Sequence, residues 1–140
     1  MITPNDYFDE IFCLNLSRRN DKWKEVQQKF RRENIFVKRI EGVDGQNELK
    51  EEYEKFKKIH PEWKWTIGNF GVLYSFQKIY KHILKTNAKK ILILEDDVVF
   101  IKNFASYFDK SVRYLPKDWK LWYLGALQWN WDNIKVFDNK

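Results

Sequence analysis

The sequence predicts an α/β fold, a sandwich with a mostly parallel central sheet flanked by helices. Three observations lead there. Apolar runs at residues 10–16 and 91–94 have the unbroken, branched composition of strands buried on both faces. Charged segments with apolar residues at three-and-four spacing separate them, as amphipathic helices do. The order over residues 10–40 is strand, helix, strand, the unit that closes as a right-handed parallel crossover.

Each element has a local reason. Residues 10–16 (Glu-Ile-Phe-Cys-Leu-Asn-Leu) form the first strand, and Ser17-Arg18-Arg19-Asn20 is the turn after it. Residues 21–32 place Trp23, Val26 and Phe30, with Gln27 beside them, on one helical side, and Asn20 or Asp21 is the expected cap. Residues 34–40 read as a second strand through Ile35 and Val37, with a change of face near Arg39. Residues 41–45 form a loop whose glycines permit positive φ. Residues 47–58 are heavily charged and read as a solvent-facing helix ended by His60-Pro61, and Trp63, Trp65 and Ile67 make an apolar-rimmed link.

The clearest amphipathic helix is residues 69–85, with Val72, Leu73, Phe76, Ile79, Tyr80, Ile83 and Leu84 as its apolar side and Gly68 and Gly71 allowing close approach near its start. A strand through Ile91-Leu92-Ile93-Leu94 follows. A helix over 103–114 then presents Phe104, Tyr107, Phe108 and Val112, and Pro116 closes it. Residues 120–126 read as a further strand, and Trp129-Asn130-Trp131 as irregular or short strand.

Composition bounds the function. A chain of 140 residues fits one domain with a real core, and 44% hydrophobic with 18% aromatic residues excludes disorder. No apolar run approaches the roughly 18 residues of a membrane span, and Met1-Ile2-Thr3-Pro4-Asn5-Asp6 lacks the regions of a signal peptide. The expectation is a cytoplasmic protein without a membrane span. The single cysteine, Cys13, lies in an apolar run and reads as an inert core thiol. The net charge of +6 raises the question of a polyanionic partner. Its lysines are scattered over amphipathic segments, which suits a solvated surface as well as a binding face. With no helix-turn-helix, zinc-finger or RNP pattern, nucleic acid is only a runner-up partner.

The chemistry concentrates at Glu95-Asp96-Asp97, which follows the apolar strand and precedes Val98-Val99-Phe100. Clustered carboxylates repel and are costly to desolvate without a neutralising cation. Hard oxygen donors suit Mg²⁺ or Mn²⁺, ions that bridge carboxylates to substrate phosphates. Two readings stand: a metal-assisted nucleotide site, or a solvated acidic turn. On a continuing strand Glu95 and Asp97 share one face and Asp96 takes the other; if the strand stops earlier, Asp96 itself is placed to touch the metal or a ribose.

A second half-site follows the first strand. Asn15 has an amide able to read a base edge, and Arg18 and Arg19 suit phosphate or a planar ring, although two surface arginines in a turn are the simpler reading. Asp44 is placed to bond ribose or to make an Asx-turn, with the turn favoured on local grounds. His60 and His82 stand apart without metal spacing, and His82 reads as structural. No nucleophilic triad is present.

These segments resemble the family 25 glycosyltransferases, which include lipooligosaccharide and collagen galactosyltransferases. The resemblance rests on Ile11-Phe12-Cys13-Leu14-Asn15-Leu16-Ser17-Arg18-Arg19-Asn20-Asp21-Lys22-Trp23, Gly42-Val43-Asp44-Gly45, Gly68-Asn69-Phe70-Gly71 leading to Ser75, Leu94-Glu95-Asp96-Asp97-Val98, and Trp119-Lys120-Leu121-Trp122-Tyr123-Leu124-Gly125, in the family's order. It implies a GT-A-like, Rossmann-type fold, a UDP-sugar donor of galactose or glucose type, Mn²⁺ or Mg²⁺, a carbohydrate or protein acceptor, and inversion at the anomeric carbon. Carried over by position, Asn15, Leu16, Arg18, Arg19, Asp44, Gly71, Ser75 and Asp96 would bind the nucleotide-sugar, and Glu95 and Asp97 the metal.

The chain departs from the family where Phe76 follows Ser75 in place of His, and where Ser17 and Lys22 replace the common acid and arginine. It also ends soon after Gly125, so the expectation over residues 1–140 is one donor-binding domain with the acceptor half reduced or absent. An inverting transfer needs a base opposite the leaving diphosphate, and only Asp132 and Asp138 offer themselves. The rival is a non-catalytic module for carbohydrate or nucleic acid.

Overall fold

Among the described residues β1 (Glu10–Asn15) is the centre of a three-stranded, all-parallel sheet, between β2 (Lys38–Glu41) and β3 (Ile91–Glu95). The computed structural model describes residues 1–125. β1 is buried from Ile11 to Asn15 because it has a strand on each edge and helices over each face.

Alternation sorts its side chains. Ile11 and Cys13 face α2 (Asn20–Arg32), which packs Val26 and Phe30 onto Cys13, and α6 (Phe104–Tyr114), whose Phe108 joins Phe8, Ile11, Ile35 and Leu92. Phe12 and Leu14 face α5 (Ile67–Ile83): the His82 ring meets Phe12 edge-on at 5.6 Å, and Ile79 is fully buried. Each such side chain taken wholly from water contributes about 1.5–3 kcal/mol. The two crossovers explain the layering. From β1 to β2 the chain moves one way across the sheet and from β2 to β3 the other, so right-handed connections put α2 and α5 on opposite faces.

The α/β class and the parallel sheet are as the sequence predicts, but several elements differ. The second strand is only Lys38–Glu41 and not residues 34–40. Asn34 takes a left-handed φ of 52°, and the Asn5 side chain occupies the backbone of Asn34 and Phe36 at 2.7 and 2.9 Å, so these groups never reach the ladder. The loop glycines Gly42 and Gly45 have no positive φ, and Gly45 instead opens α3 (Gly45–Glu48). The charged helix is therefore split into α3 and α4 (Lys50–Ile59), with Leu49 buried between them.

A short α1 (Pro4–Tyr7), not expected from sequence, starts where the Thr3 N–H and hydroxyl donate to Asp6. α2 begins without the expected side-chain cap; Arg19 occupies that position. On α5 the buried face is Phe70, Gly71, Ser75 and Ile79, whereas Val72, Leu73, Tyr80 and Leu84 are exposed. Tyr107 on α6 is exposed as well. Residues 120–125 are not a strand; Trp122 stacks on Phe8 and Phe108, and the Trp119 indole donates to the Tyr7 hydroxyl at 2.9 Å. Ala126 and Trp129-Asn130-Trp131 lie outside the described residues. Among the described residues no helix is long and apolar enough to cross a membrane.

Candidate active site at the carboxyl ends of the strands

Because all three strands run parallel, their carboxyl ends fall together. Asn15 pairs in register with Glu41, and Leu14 with Glu95, so the turn after β1, the loop after β2 and the acidic turn after β3 share one rim. In open α/β sheets ligands bind at this rim.

Asn15 joins the pieces. It is 2% exposed, and its amide donates to Asp96 Oδ2 at 2.5 Å and to the Arg19 carbonyl at 3.0 Å, while its Oδ1 accepts from Arg39 Nη2 at 2.5 Å. Both ends of the carboxamide are thus engaged within the protein, which leaves it to position other groups rather than to read a base. Arg39 also lies over the Trp23 ring at 5.2 Å. Neither Arg39 nor Trp23 was a sequence candidate. The sequence carries no local sign of this: Arg39 meets Trp23 because the register of β2 on β1 makes it the partner of Cys13, on the α2 side.

The loop after β2 is pinned in the same way. Ser75 is 2% exposed; its hydroxyl donates to the Gly71 carbonyl at 2.7 Å and accepts from the Val43 N–H at 2.8 Å. A Cβ on Gly71 would meet Gly45 N at 2.7 Å and the Val43 carbonyl at 2.8 Å, so only glycine lets α5 approach this loop. Asp44 caps α3 by accepting from Gln46 N, and it also accepts from Asn47 and from Arg18 Nε. The Arg18 guanidinium, followed by the Asn47 amide and Gln46 N–H, holds the Asp44 carboxyl below the usual range, partly offset by desolvation. Asp44 is thus the Asx-type turn that local sequence favours. Ser17 reaches Glu41 across the rim, and Leu16 packs half-buried beside Gly42.

What faces outward is a smaller set. Arg18, with a side chain 54% exposed, uses only Nε toward Asp44, and Arg19 makes one long contact to Asp21 at 3.4 Å. β3 ends at Glu95, and Asp96 and Asp97 form a turn closed by the Val98 N–H on the Glu95 carbonyl at 3.2 Å. The strict alternation of the three acids is therefore lost after Glu95, and Asp96 turns toward Asn15. Lys29 secures the exit of this turn by donating to the Val98 carbonyl at 3.1 Å. Among the described residues none of Glu95, Asp96 and Asp97 has a salt-bridge partner. Desolvation, then the charges of Asp97 and Asp96, raises the Glu95 pKa.

These carboxylates fit a hard divalent cation: they are oxygen donors, exposed at Glu95 and Asp97, and among the described residues none of them has a salt-bridge partner. Among the described residues no group of three or more His, Cys, Asp or Glu side chains is arranged to hold a metal ion by itself. Mg²⁺ and Mn²⁺ commonly take one or two carboxylates from a protein and the rest of their shell from water and substrate phosphates. Cys13, directly behind, is fully buried, and burial followed by the Asp96 charge pushes its thiol up to about 12, so it is inert. All the sequence candidates thus lie on or behind one rim, but only Leu16, Arg18, Arg19 and the three acids present surface to a ligand; Asn15, Asp44, Gly71 and Ser75 build it. Asp132 and Asp138 lie outside the described residues.

A sequence model described as "Glycosyltransferase family 25 (LPS biosynthesis protein)" matches residues 8–140, nearly the whole chain. The chain belongs to glycosyltransferase family 25. It is 31% identical to the procollagen galactosyltransferase 2 of Mus musculus over 129 residues, which is 84% of this chain and 21% of that protein. The Homo sapiens procollagen galactosyltransferase 2 is 30% identical over the same shares. The Homo sapiens inactive glycosyltransferase 25 family member 3 is 25% identical over 88% of this chain and 22% of its own length. The chain thus spans about a fifth of the length of these family 25 relatives. No solved structure matches it.

Proposed function

We propose that this chain is the donor-binding part of a metal-dependent glycosyltransferase that takes a UDP-sugar of galactose or glucose type. The observation that supports this most is the rim itself, where, among the described residues, three carboxylates without salt-bridge partners share the carboxyl ends of parallel strands with Arg18 and Arg19. A nucleoside diphosphate is the ligand whose charge satisfies both halves. Its phosphates would meet the guanidinium groups on one side, and the acids on the other would hold the accompanying cation.

In this reading Glu95 and Asp97 hold the cation and Asp96, fixed by Asn15, either completes the shell or bonds the ribose. When bound, Mn²⁺ or Mg²⁺ supplies Lewis-acid stabilisation of charge growing on the leaving diphosphate, a contribution of several kcal/mol. Arg18 and Arg19 orient the diphosphate, and the Ser75-anchored loop with Asp44 keeps Arg18 in place. Inversion requires a base on the acceptor side, and none of the outward-facing rim residues is placed for it. The galactosyl donor is suggested by the relatives, which are named procollagen galactosyltransferases. Their name suggests a protein acceptor, and the family description, naming LPS biosynthesis, a carbohydrate one.

Calorimetry with UDP, with and without Mn²⁺, tests the donor site. Binding of UDP in the low-micromolar to millimolar range that depends on Mn²⁺ is expected, and UDP binding indifferent to metal, or none, overturns the assignment. The similarity to an inactive family member favours a second reading, donor binding without transfer. Release of free galactose from UDP-galactose, or transfer to a hydroxylated acceptor, separates the two.

A further inference from the structure

A groove of about 440 Å³ lies between β2 and α5, floored by Ile40 and Val43 and walled by Tyr74, Lys78, Lys81 and Lys85. The wall residues recur at three-and-four spacing, so they form one stripe along the helix and the turn after it. Among the described residues none of the three lysines is in a salt bridge: Lys78 donates to the Glu41 carbonyl at 3.0 Å and Lys81 to the Gln77 amide oxygen at 3.4 Å. On the strand side Glu41, whose carbonyl Lys78 engages, accepts the Ser17 hydroxyl on its carboxylate, and among the described residues no acidic side chain lines the groove. The groove therefore has a surplus of positive charge over an apolar floor.

We propose that this groove binds an anionic saccharide segment, one bearing sulfate, phosphate or carboxylate groups. The choice of a saccharide rests on the transferase reading above; the choice of an anion rests on the lysines. Pyranose rings present C–H faces that suit Ile40, Val43 and the partly exposed ring of Tyr74, while their substituents reach the rim. From Lys78 to Lys85 the stripe is about 10 Å long at 1.5 Å per residue, the reach of a short oligosaccharide. Nucleic-acid binding usually neutralises more phosphates over a longer track. Val43 belongs to the same loop as Asp44, so the Val43 and Tyr74 end of the groove adjoins the donor rim, while Lys81 and Lys85 lie toward the amino ends of the strands, where His82 of the same helix meets Phe12.

The test uses the full chain and a heparin-derived tetrasaccharide as probe, with neutral maltotetraose and an oligothymidylate of equal charge as comparisons, followed by calorimetry. The sulfated tetrasaccharide is expected to bind, maltotetraose to bind at least about tenfold more weakly, and the K81Q/K85Q double variant to lose about tenfold in affinity. A K55Q/K58Q variant on α4 removes the same charge elsewhere and is expected to bind like the parent. The proposal is overturned if the parent does not bind the sulfated probe, if both double variants lose affinity equally, or if maltotetraose or the oligothymidylate binds as well. Mn²⁺-dependent UDP binding, measured on the same samples, is expected to be unchanged in K81Q/K85Q; its absence from the parent would fault the donor reading, not the groove.

Discussion

The Asn15 carboxamide donates to Oδ2 of Asp96 at 2.5 Å, joining residues 81 positions apart at the ends of neighbouring strands. The same side chain binds the Arg19 carbonyl and Arg39, so one buried group aligns the acidic turn, the arginine turn and β2. Asn15→Ala removes three hydrogen bonds at once and leaves partners unsatisfied. A loss of about 2–4 kcal/mol is expected, since each buried polar group left without a partner costs about 1–3 kcal/mol. The midpoint of urea unfolding reports it. Asn15→Asp places a charge beside Asp96 and is expected to be worse for stability than Ala, an order that a purely steric role for Asn15 would not produce.

Gly71 lies where α5 closes on the loop after β2. Replacing a helical glycine by alanine ordinarily stabilises by about 1 kcal/mol. Here the new methyl would lie 2.7 Å from Gly45 N and 2.8 Å from the Val43 carbonyl, and backbone on both sides cannot rotate away. Overpacking of this kind costs about 1–3 kcal/mol, so Gly71→Ala is expected to destabilise on balance. It should also weaken UDP binding, because the displaced loop contains Asp44. A variant as stable as the parent would show that the loop yields.

How far the sequence could lead is clear from these contacts. The apolar runs of β1 and β3 and the helical spacing of α2 made the α/β class legible, because burial on two faces leaves a local compositional trace. The same logic misjudged α5. Val72, Leu73, Tyr80 and Leu84 are apolar yet exposed, while Gly71 and Ser75 are buried, since close backbone approach selects small residues and not greasy ones. β2 is shorter than its apolar pattern predicts because the Asn5 side chain, far away in sequence, captures the backbone of Asn34 and Phe36. At the site, the acids and arginines were visible as residue types. The inward roles of Asn15 and Ser75 depend on partners far along the chain and left no local sign, whereas the Asx-type turn of Asp44, bonded to Gln46 and Asn47, was legible locally.

Asp44 carries a pH signature. The Arg18 guanidinium, then the Asn47 and Gln46 donors, lower its folded pKa below the ordinary 3.8. A depressed acid stabilises the fold fully above the unfolded value and loses that contribution as pH falls through the folded one. Asn caps a helix as well as Asp, so Asp44→Asn isolates the charge. Arg18 is mostly exposed, which limits the difference to about 1 kcal/mol or less at neutral pH. The two unfolding midpoints should converge below pH 3.8. A gap that persists into strong acid would mean that the carboxylate charge is not the cause.

The three acids at the end of β3 should behave oppositely with and without a cation. In the metal-free chain Glu95, Asp96 and Asp97 repel one another, and Glu95 titrates high because of desolvation and its two neighbours. Asp97→Asn removes one of these charges without removing volume, so a small rise in metal-free stability is expected, of about 0.5 kcal/mol. The same change removes a cation ligand and is expected to weaken Mn²⁺-dependent UDP binding by about tenfold to a hundredfold, as loss of a first ligand or its support does. Thermal unfolding with and without Mn²⁺ and UDP measures both effects on one sample. A variant that is more stable than the parent and still gains as much from Mn²⁺ and UDP would place the cation elsewhere, because relieved repulsion and lost ligation must come from the same carboxylate.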